Sequence, residues 1–549
     1  YDAPLSPETI AAEYGKVFPV FPRVEHRYVP AGKKQSVTVD LVVRSAVPTR
    51  GTARCEVRNR TGARISETHP LAVDTGPGRR VRELSLPVTF EAPGRYTLRF
   101  SWEPNGEGAA YTREIDLWAI DNGRVPMAAP GEPALETVAT VDCTEDLPPD
   151  LFVASAPTRI RRTEAGAYRE AGSTRHDRFA LRFRLPEAGV PYRVEWTYPD
   201  DRPRTMEMIA QGVEVAGHEY ELQTGVFTGA EYPLSGRMKT HRCLYWPRSR
   251  AVALIFMTAE ANRPAAAATV TVSRVRGAVP AAAPPLPAPE VDGRRRRVGL
   301  YYEDPALCYD FGNLSAMPGF ATLTDRLITY MRTSGQDLLM YPGVWYHGPF
   351  YPSRSQGEVQ QRPHPYNYLE YMLLRFEKEG FGLLPTVNLH SLPSLAEWKW
   401  RDEMFLTGEA AAGPLSVGWD GCTNIGGWHG SRPNYNILHP DVRRAVLTMV
   451  DEMLDLYGDA PAFEGICFHL TQHCMLWFGS LEGGYNDYCI DAFEQDTGIR
   501  IPVGADDPGR AAKRYTWLMA HARKRWIDWR CRAIRALYET GLFEDVRVA

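Results

Sequence analysis

A chain of 549 residues is long enough for three or four domains. Its apolar (44%) and charged (24%) fractions are those of a globular protein, and a net charge of -4 excludes a strongly basic nucleic-acid binder and gives no electrostatic reason to expect a membrane surface. Nine cysteines without a CxxC pair exclude a small disulfide scaffold and a zinc ribbon, and leave one or two disulfides open.

No apolar run reaches the length of about 18 residues that a membrane-spanning helix needs. The opening YDAPLSPET carries neither Met nor a signal-peptide pattern and reads as a trimmed or mature start. Residues 1–125 are expected to form an all-β sandwich of the immunoglobulin or fibronectin kind. VTVDLVV (37–43), ARCEVRN (53–59), RELSLPVTF (82–90) and RYTLRFSWE (95–103) alternate or run apolar between Gly and Pro turns. A second β-rich block, 134–277, holds RFALRFRL (178–185), YRVEWTYP (192–199), AVALIFMTA (251–259) and ATVTVSRV (268–275). It reads as a jelly-roll-like sandwich, either a structural spacer or a carbohydrate-binding module. The polar-aromatic stretch 221–247 reads as a long excursion between its strands.

Residues 278–297 are a linker: the Ala/Pro run AVPAAAPPLPAPEV cannot build a core, and RRRR (294–297) reads as a solvated run before a strand. From 298 to 549 the pattern changes to alternating strands and helices. Strands are expected at VGLYYE (298–303), DLLMYPG (337–343), FGLLPTVNLH (381–390) and GICFHL (465–470). Helices are expected at 319–335, at 367–380 with Gly380 as its stop, and at 394–405 with Ser394 and Glu397 as a capping box. Further helices are expected at 439–458 with Pro440 in its first turn, at 485–498, and as one long helix over 507–541. Apolar strands alternating with helices imply a parallel sheet covered by helices. The spacing suits a (β/α)8 TIM-barrel-type domain better than a Rossmann sheet, since no GxGxxG follows the first strand. About five strands fall within the chain. VRVA (546–549) opens the fifth, so either strands six to eight lie beyond residue 549 or the strand count is wrong.

Barrel active sites are built at the carboxyl ends of the strands. Here those ends carry Glu303 and Asp304; Trp345, Tyr346 and His347; Asn388 and His390; and the cluster His469, Thr471, Gln472 and His473. Glycoside hydrolysis needs two carboxyl groups. Glu303, Asp304 and Glu482, the last in the Gly-flanked loop FGSLEGGYND, are the candidate catalytic residues. Asp487 is better read as a helix cap. Trp345, Tyr346, His347, Asn388, His390, Trp428, His429, Gln472, His473 and Trp477 are candidate substrate-binding residues. Their rings suit the C–H faces of sugars, and their amides and imidazoles suit the hydroxyls. His347, His390, His429 and His473 lack HxH or HExxH spacing, so no metal is expected and hydrogen bonding to sugar hydroxyls is the better reading. His469, in register with Cys467, reads equally as a core histidine.

The segments YNILHPDVRRAVLTMVDEMLDLYGDAPAFEGICFHLTQH, GYNDYCIDAFEQDTGIRIP and RKRWIDWRCRAIRALY resemble bacterial glycosyl-hydrolase-like (family 10-like) TIM-barrel proteins with N-terminal β-sandwich modules. The resemblance covers roughly residues 434 to 540, more weakly back to 298. It implies a barrel and a saccharide substrate. The chain departs from such enzymes in placing His469, Gln472 and His473 where many have a carboxylate at the end of strand four. The resulting expectation is a glycoside hydrolase acting on a polysaccharide or oligosaccharide, without a cofactor, nucleic-acid partner or membrane span, in an extracytoplasmic location. The alternative is a non-catalytic carbohydrate-binding barrel. Oligomeric state is not legible.

Overall fold

The computed structural model describes residues 19–43, 49–75, 80–106, 109–123, 132–213, 221–231, 233–277, 279, 290–291, 294–295, 297–302, 317–346, 348–356, 367–389, 392, 394–395, 413–421, 435–470, 474–478 and 480–542. Contacts divide the chain into two compact units, 1–127 with 286–549, and 128–285.

The first unit begins with a two-sheet sandwich. Its strands are β1 (Val20–Val24), β2 (Tyr28–Pro30), β3 (Lys34–Val43), β4 (Thr49–Arg58), β5 (Arg64–Glu67), β6 (Leu71–Thr75), β7 (Arg80–Thr89), β8 (Gly94–Pro104) and β9 (Tyr111–Ile120). One sheet runs β1-β3-β7 and the other β2-β9-β8-β4-β5, with β6 also on β4. The alternation in β8 turns Tyr96, Leu98, Phe100 and Trp102 into the core and the residues between them outward. Gly51 is required where β4 crosses that core: a Cβ there would lie 2.4 Å from the Trp102 ring and 2.6 Å from the Glu103 carbonyl oxygen.

The second unit, another sandwich, comprises β10 (Ala134–Asp142), β11 (Phe152–Ala154), β12 (Arg159–Thr163), β13 (Gly166–Glu170), β14 (Arg178–Arg184), β15 (Tyr192–Pro199), β16 (Arg204–Gly212), β17 (Leu222–Thr228), β18 (Met238–Tyr245), β19 (Ala251–Thr258), β20 (Ala266–Ala267) and β21 (Thr269–Arg276). A four-stranded sheet, β10-β21-β15-β18, faces a five-stranded one, β11-β14-β19-β16-β17, across a core centred on Trp196, Phe256, Tyr192 and Met208; β12-β13-β20 form a small third sheet. The stretch expected as an excursion supplies two of these strands, β17 and β18.

The rest of the first unit follows a short hairpin of β22 (Glu290–Val291) and β23 (Arg294–Arg295). Then come β24 (Gly299–Tyr301), α1 (Met317–Ser334), β25 (Leu338–Tyr346), β26 (Gly348–Pro349), α2 (Tyr368–Glu379), β27 (Gly382–Leu389), α3 (Pro440–Tyr457), β28 (Cys467–Phe468), α4 (Asp487–Thr497), α5 (Arg510–His521) and α6 (Arg523–Ala536), closed by a π-turn, Leu537–Leu542. Gly380 ends α2 at φ 71°, as expected, and Asn367, not foreseen as a cap, accepts from the Glu370 N–H at its start. Pro440 opens α3, with His439 accepting from the Asp441 N–H.

The closed (β/α)8 barrel is not what forms, and the protein is mostly β. The described parallel strands make one sheet in the order β24-β25-β27-β28, with β26 antiparallel on β25, and β24 and β28 are its two edges. Strand–helix alternation specifies parallel neighbours and helical cover, but closure requires first and last strands to pair, and no local pattern encodes that. The fourth strand is also shorter than expected, two residues instead of six, because Gly465 sits at φ 121°, outside strand geometry. The single helix expected over 507–541 is broken at Ala522, whose φ of -140° separates α5 from α6. The Ser394–Glu397 capping box lies partly outside the described residues.

The first sandwich and the α/β part share one core, which places Tyr28 and Ile120 among residues of α2, β25 and β27. Glu370 on α2 is the chief polar tie. Its carboxylate accepts from the Arg27 N–H (3.0 Å) and the Tyr28 N–H (3.1 Å), and lies 2.5 Å from His26 Nδ1. Asn122 Nδ2 donates to Glu377 (2.8 Å), Lys378 pairs with Asp121 (2.7 Å), and Arg354 bridges Asp40 (2.7 Å) and Glu25 (3.0 Å).

The hydrogen bond to Glu370 raises the His26 pKa above its usual 6.5, against opposition from burial; Glu25 also raises it and Arg354 lowers it. A folded-state pKa above the unfolded one stabilises fully below pH 6.5 and is lost as pH rises through the raised value. The urea midpoint is therefore expected to fall between pH 6 and pH 8.5 more in the native chain than in His26→Gln. Equal slopes would remove His26 from the joint.

Candidate functional site

The site follows from how four parallel strands end. Tyr301 closes β24, Trp345 and Asn388 stand in register near the ends of β25 and β27, and His469 follows β28, its N–H bonded to the Val387 carbonyl at 2.9 Å. Tyr301 and His469 belong to opposite edges of the sheet. In a flat sheet, three strand spacings of roughly 4.8 Å would hold them ~14 Å apart. Yet the Tyr301 phenolic oxygen lies 2.7 Å from Nδ1 and 2.9 Å from Nε2 of His469, the rings edge to face at 5.3 Å. The sheet therefore curls, and its edge residues meet across the concave side.

Asn388 completes the group. Its Nδ2 is 3.2 Å from His469 Nδ1, which makes Nδ1 the acceptor and turns Nε2–H toward the Tyr301 oxygen. The side chain is 1% exposed, and its Oδ1 accepts no hydrogen bond from a described residue. A buried acceptor without a donor costs about 1–3 kcal/mol, so it marks a place where folding was not the only requirement. The arrangement offers sugar-like hydroxyls an acceptor at Asn388, a phenol at Tyr301 and an imidazole able to accept or release a proton. It offers no thiolate: burial raises the pKa of Cys467 at the strand end and that of Cys474 to about 11. The seven described cysteines are all free thiols.

Of the residues expected from sequence, Trp345, Asn388 and the backbone of Tyr346 reach this rim. Glu482 is placed elsewhere, on a turn where its carbonyl accepts from the Trp419 N–H (2.8 Å) and its N–H donates to Ser480 Oγ (3.0 Å). Its carboxylate forms no hydrogen bond or ion pair with a described residue. Trp477 is partly exposed, in the segment that leaves the rim where the Met475 N–H bonds Leu389 O (2.6 Å). Asp487 is not the cap expected of it: Asn486 holds that position, and Asp487, the first residue of α4, pairs with Arg514 (2.5 Å) and Arg510 (3.1 Å). Glu303, Asp304, His347, His390, Trp428, His429, Gln472 and His473 lie outside the described residues.

Sequence reasoning passed over Tyr301, although its place at a strand's end was visible, and left His469 between rim and core. It also missed Trp419, exposed beside Glu482 with its ring 5.9 Å from Tyr515. No three described His, Cys, Asp or Glu residues are grouped to hold a metal ion. Among the described residues, no helix is long and apolar enough to cross a membrane.

No family model matches the chain, and no curated protein does. Solved structures similar to parts of it include a tandem of CBM22 domains of Paenibacillus barcinonensis Xyn10C, at 13% identity over 45% of this chain and 81% of that one, TM-score 0.21. The single CBM22-1 xylan-binding domain of the same protein matches at 9% identity over 27% and 100%, TM-score 0.21. A calcium-binding mutant of Bacteroides uniformis β-glucuronidase 2 matches at 10% identity over 47% and 30%, TM-score 0.19. These neighbours are carbohydrate-binding modules and a glycosidase. Likenesses at this level say nothing about the site.

Proposed function

We propose that the carboxyl end of the parallel sheet binds a saccharide through Tyr301, Asn388 and His469. The observation that carries this reading is Asn388 Oδ1, buried and without a donor among the described residues, beside an imidazole and a phenol at the end of a parallel sheet, where open α/β sheets take their ligands. Hydroxyl groups satisfy such an acceptor, and Trp345 in register beside Asn388 adds an aromatic body for sugar C–H faces.

Glycoside hydrolysis is the second reading. What favours it is that Tyr301, already at the rim, precedes Glu303 and Asp304 by two and three residues. A polysaccharide ligand would place the protein outside the cytoplasm.

Titration of the full chain with an oligosaccharide panel tests the first reading. Asn388→Leu is expected to weaken binding by about tenfold or more while changing stability by no more than about 1 kcal/mol, because an unsatisfied acceptor leaves with the amide. Unchanged affinity would dismiss the site. For the second reading, Glu303→Gln and Asp304→Asn should abolish release of reducing ends without abolishing binding. Absence of any hydrolysis by the native chain, on sugars it binds, would leave a binding protein.

A further inference from the structure

A cleft of about 490 Å³ lies in the second unit, on the solvent side of the five-stranded sheet. Its floor follows from strand register. Val153 on β11 pairs with Ala180 on β14, Ala180 with Ile255 on β19, and Ile255 with Ile209 on β16. Four apolar side chains thus form one row, of which Val153, Ala180 and Ile255 line the cleft, about 10 Å across at ~4.8 Å per strand. These residues point away from the sandwich core, which takes the alternate set Leu181, Leu254 and Met208. Even so, Ala180 on the cleft floor is buried, which a flat outer face would not achieve.

The flanking rows are polar. On one side Arg182 pairs with Ala253 and then Gln211; on the other Arg178 pairs with Met257 and then Glu207. Glu207 is engaged, accepting from Gln223 Nε2 at 3.2 Å. Arg178 and Arg182 are exposed, one on each wall at β14, and neither forms an ion pair with a described residue; the Arg178 guanidinium donates to the His176 carbonyl (3.1 Å). Arg184 follows on the same face of the same strand.

We infer that this cleft binds an acidic polysaccharide, a sugar chain carrying uronate carboxylates. The apolar row receives the C–H faces of successive sugars, Gln211 takes hydroxyls, and the guanidinium groups of Arg178 and Arg182 take carboxylates, which their planar donor forks match. Among the described residues of β14 and β16, three arginines stand on this face against one engaged glutamate, which favours an anionic ligand. This site is separate from that of the parallel sheet and shares no residue with it.

Calorimetric titration of the full chain with an oligogalacturonate, in chelator-treated buffer, tests the inference. Methyl esterification keeps the chain and removes the charge, so the ester is expected to bind at least about tenfold more weakly. Arg182→Ala should cost about tenfold and Arg178→Ala/Arg182→Ala about a hundredfold, with Arg182→Lys between native and Arg182→Ala. Both arginines are exposed, and an unchanged urea midpoint will show that the variants fold. Equal binding of acid and ester, an unchanged dissociation constant in the double variant, or no binding at millimolar ligand would each overturn the inference. Equal binding of polyglutamate would overturn it in favour of an acidic protein partner. Loss of oligogalacturonate binding in His469→Ala, with the arginine variants unaffected, would place the ligand on the parallel sheet and sink this inference alone.

Discussion

Glu370→Ala is expected to destabilise the first unit by about 2–4 kcal/mol, chiefly because backbone N–H groups at a buried joint lose a charged acceptor, the half-exposed His26 adding little. Glu370 is 6% exposed and lies within α2. Its two oxygens serve the consecutive N–H groups of Arg27 and Tyr28 and the His26 ring, where the first sandwich meets the helix. Alanine leaves the Tyr28 N–H buried without an acceptor and His26 without its partner. Sandwich and parallel sheet share a core there, so the loss should lower the urea midpoint of that unit. Glu370→Gln keeps one acceptor oxygen and should cost roughly half as much. A change below about 1 kcal/mol in the alanine variant would mean that water replaces the carboxylate at no cost and that the joint is held by packing alone.

Trp526→Ala is expected to cost about 3–5 kcal/mol, as large-to-small core substitutions do. The indole is fully buried. It stacks on Trp529 (ring centroids 5.2 Å, 14° between planes), meets Phe493 edge-on at 5.2 Å and lies 5.8 Å from Tyr485. Its neighbour Arg530 donates to the Ser480 carbonyl and lies 4.4 Å over the Phe478 ring, so the same cluster holds the turn that carries Glu482. Trp526→Phe, which keeps a ring, should recover much of the loss. Thermal or urea unfolding checks both variants. A small effect in Trp526→Ala would show that the cavity collapses without disturbing α4 and α6.

What could be read in the sequence was what local chemistry determines. The longest strand of the first sandwich, β8, follows an alternation that burial obeys residue by residue, in Tyr96, Leu98, Phe100 and Trp102. The starts of α2 and α3 and the end of α2 follow from Asn367, Pro440 and Gly380, each acting within one turn. What could not be read depends on distant partners. Whether four parallel strands curl into half a barrel or close into a whole one rests on pairing between chain segments more than 160 residues apart, as between Tyr301 and His469 (|i−j| 168). The break at Ala522 has no Pro or Gly to announce it, and it lets α6 turn Trp526, Trp529 and Arg530 inward. The knot of polar residues after Phe468 was visible as a strand ending in imidazoles and amides. That His469 faces Tyr301 from the opposite edge was not, because side-chain partners across a curled sheet leave no spacing in the chain.

The most direct test of the saccharide site is a crystal structure of the full chain with a bound oligosaccharide chosen from the binding panel. The account predicts a sugar hydroxyl within about 3 Å of Asn388 Oδ1, hydrogen-bond distance, with Tyr301 and His469 against the same sugar. A sugar bound only elsewhere, with Asn388 Oδ1 still lacking a donor, would contradict it.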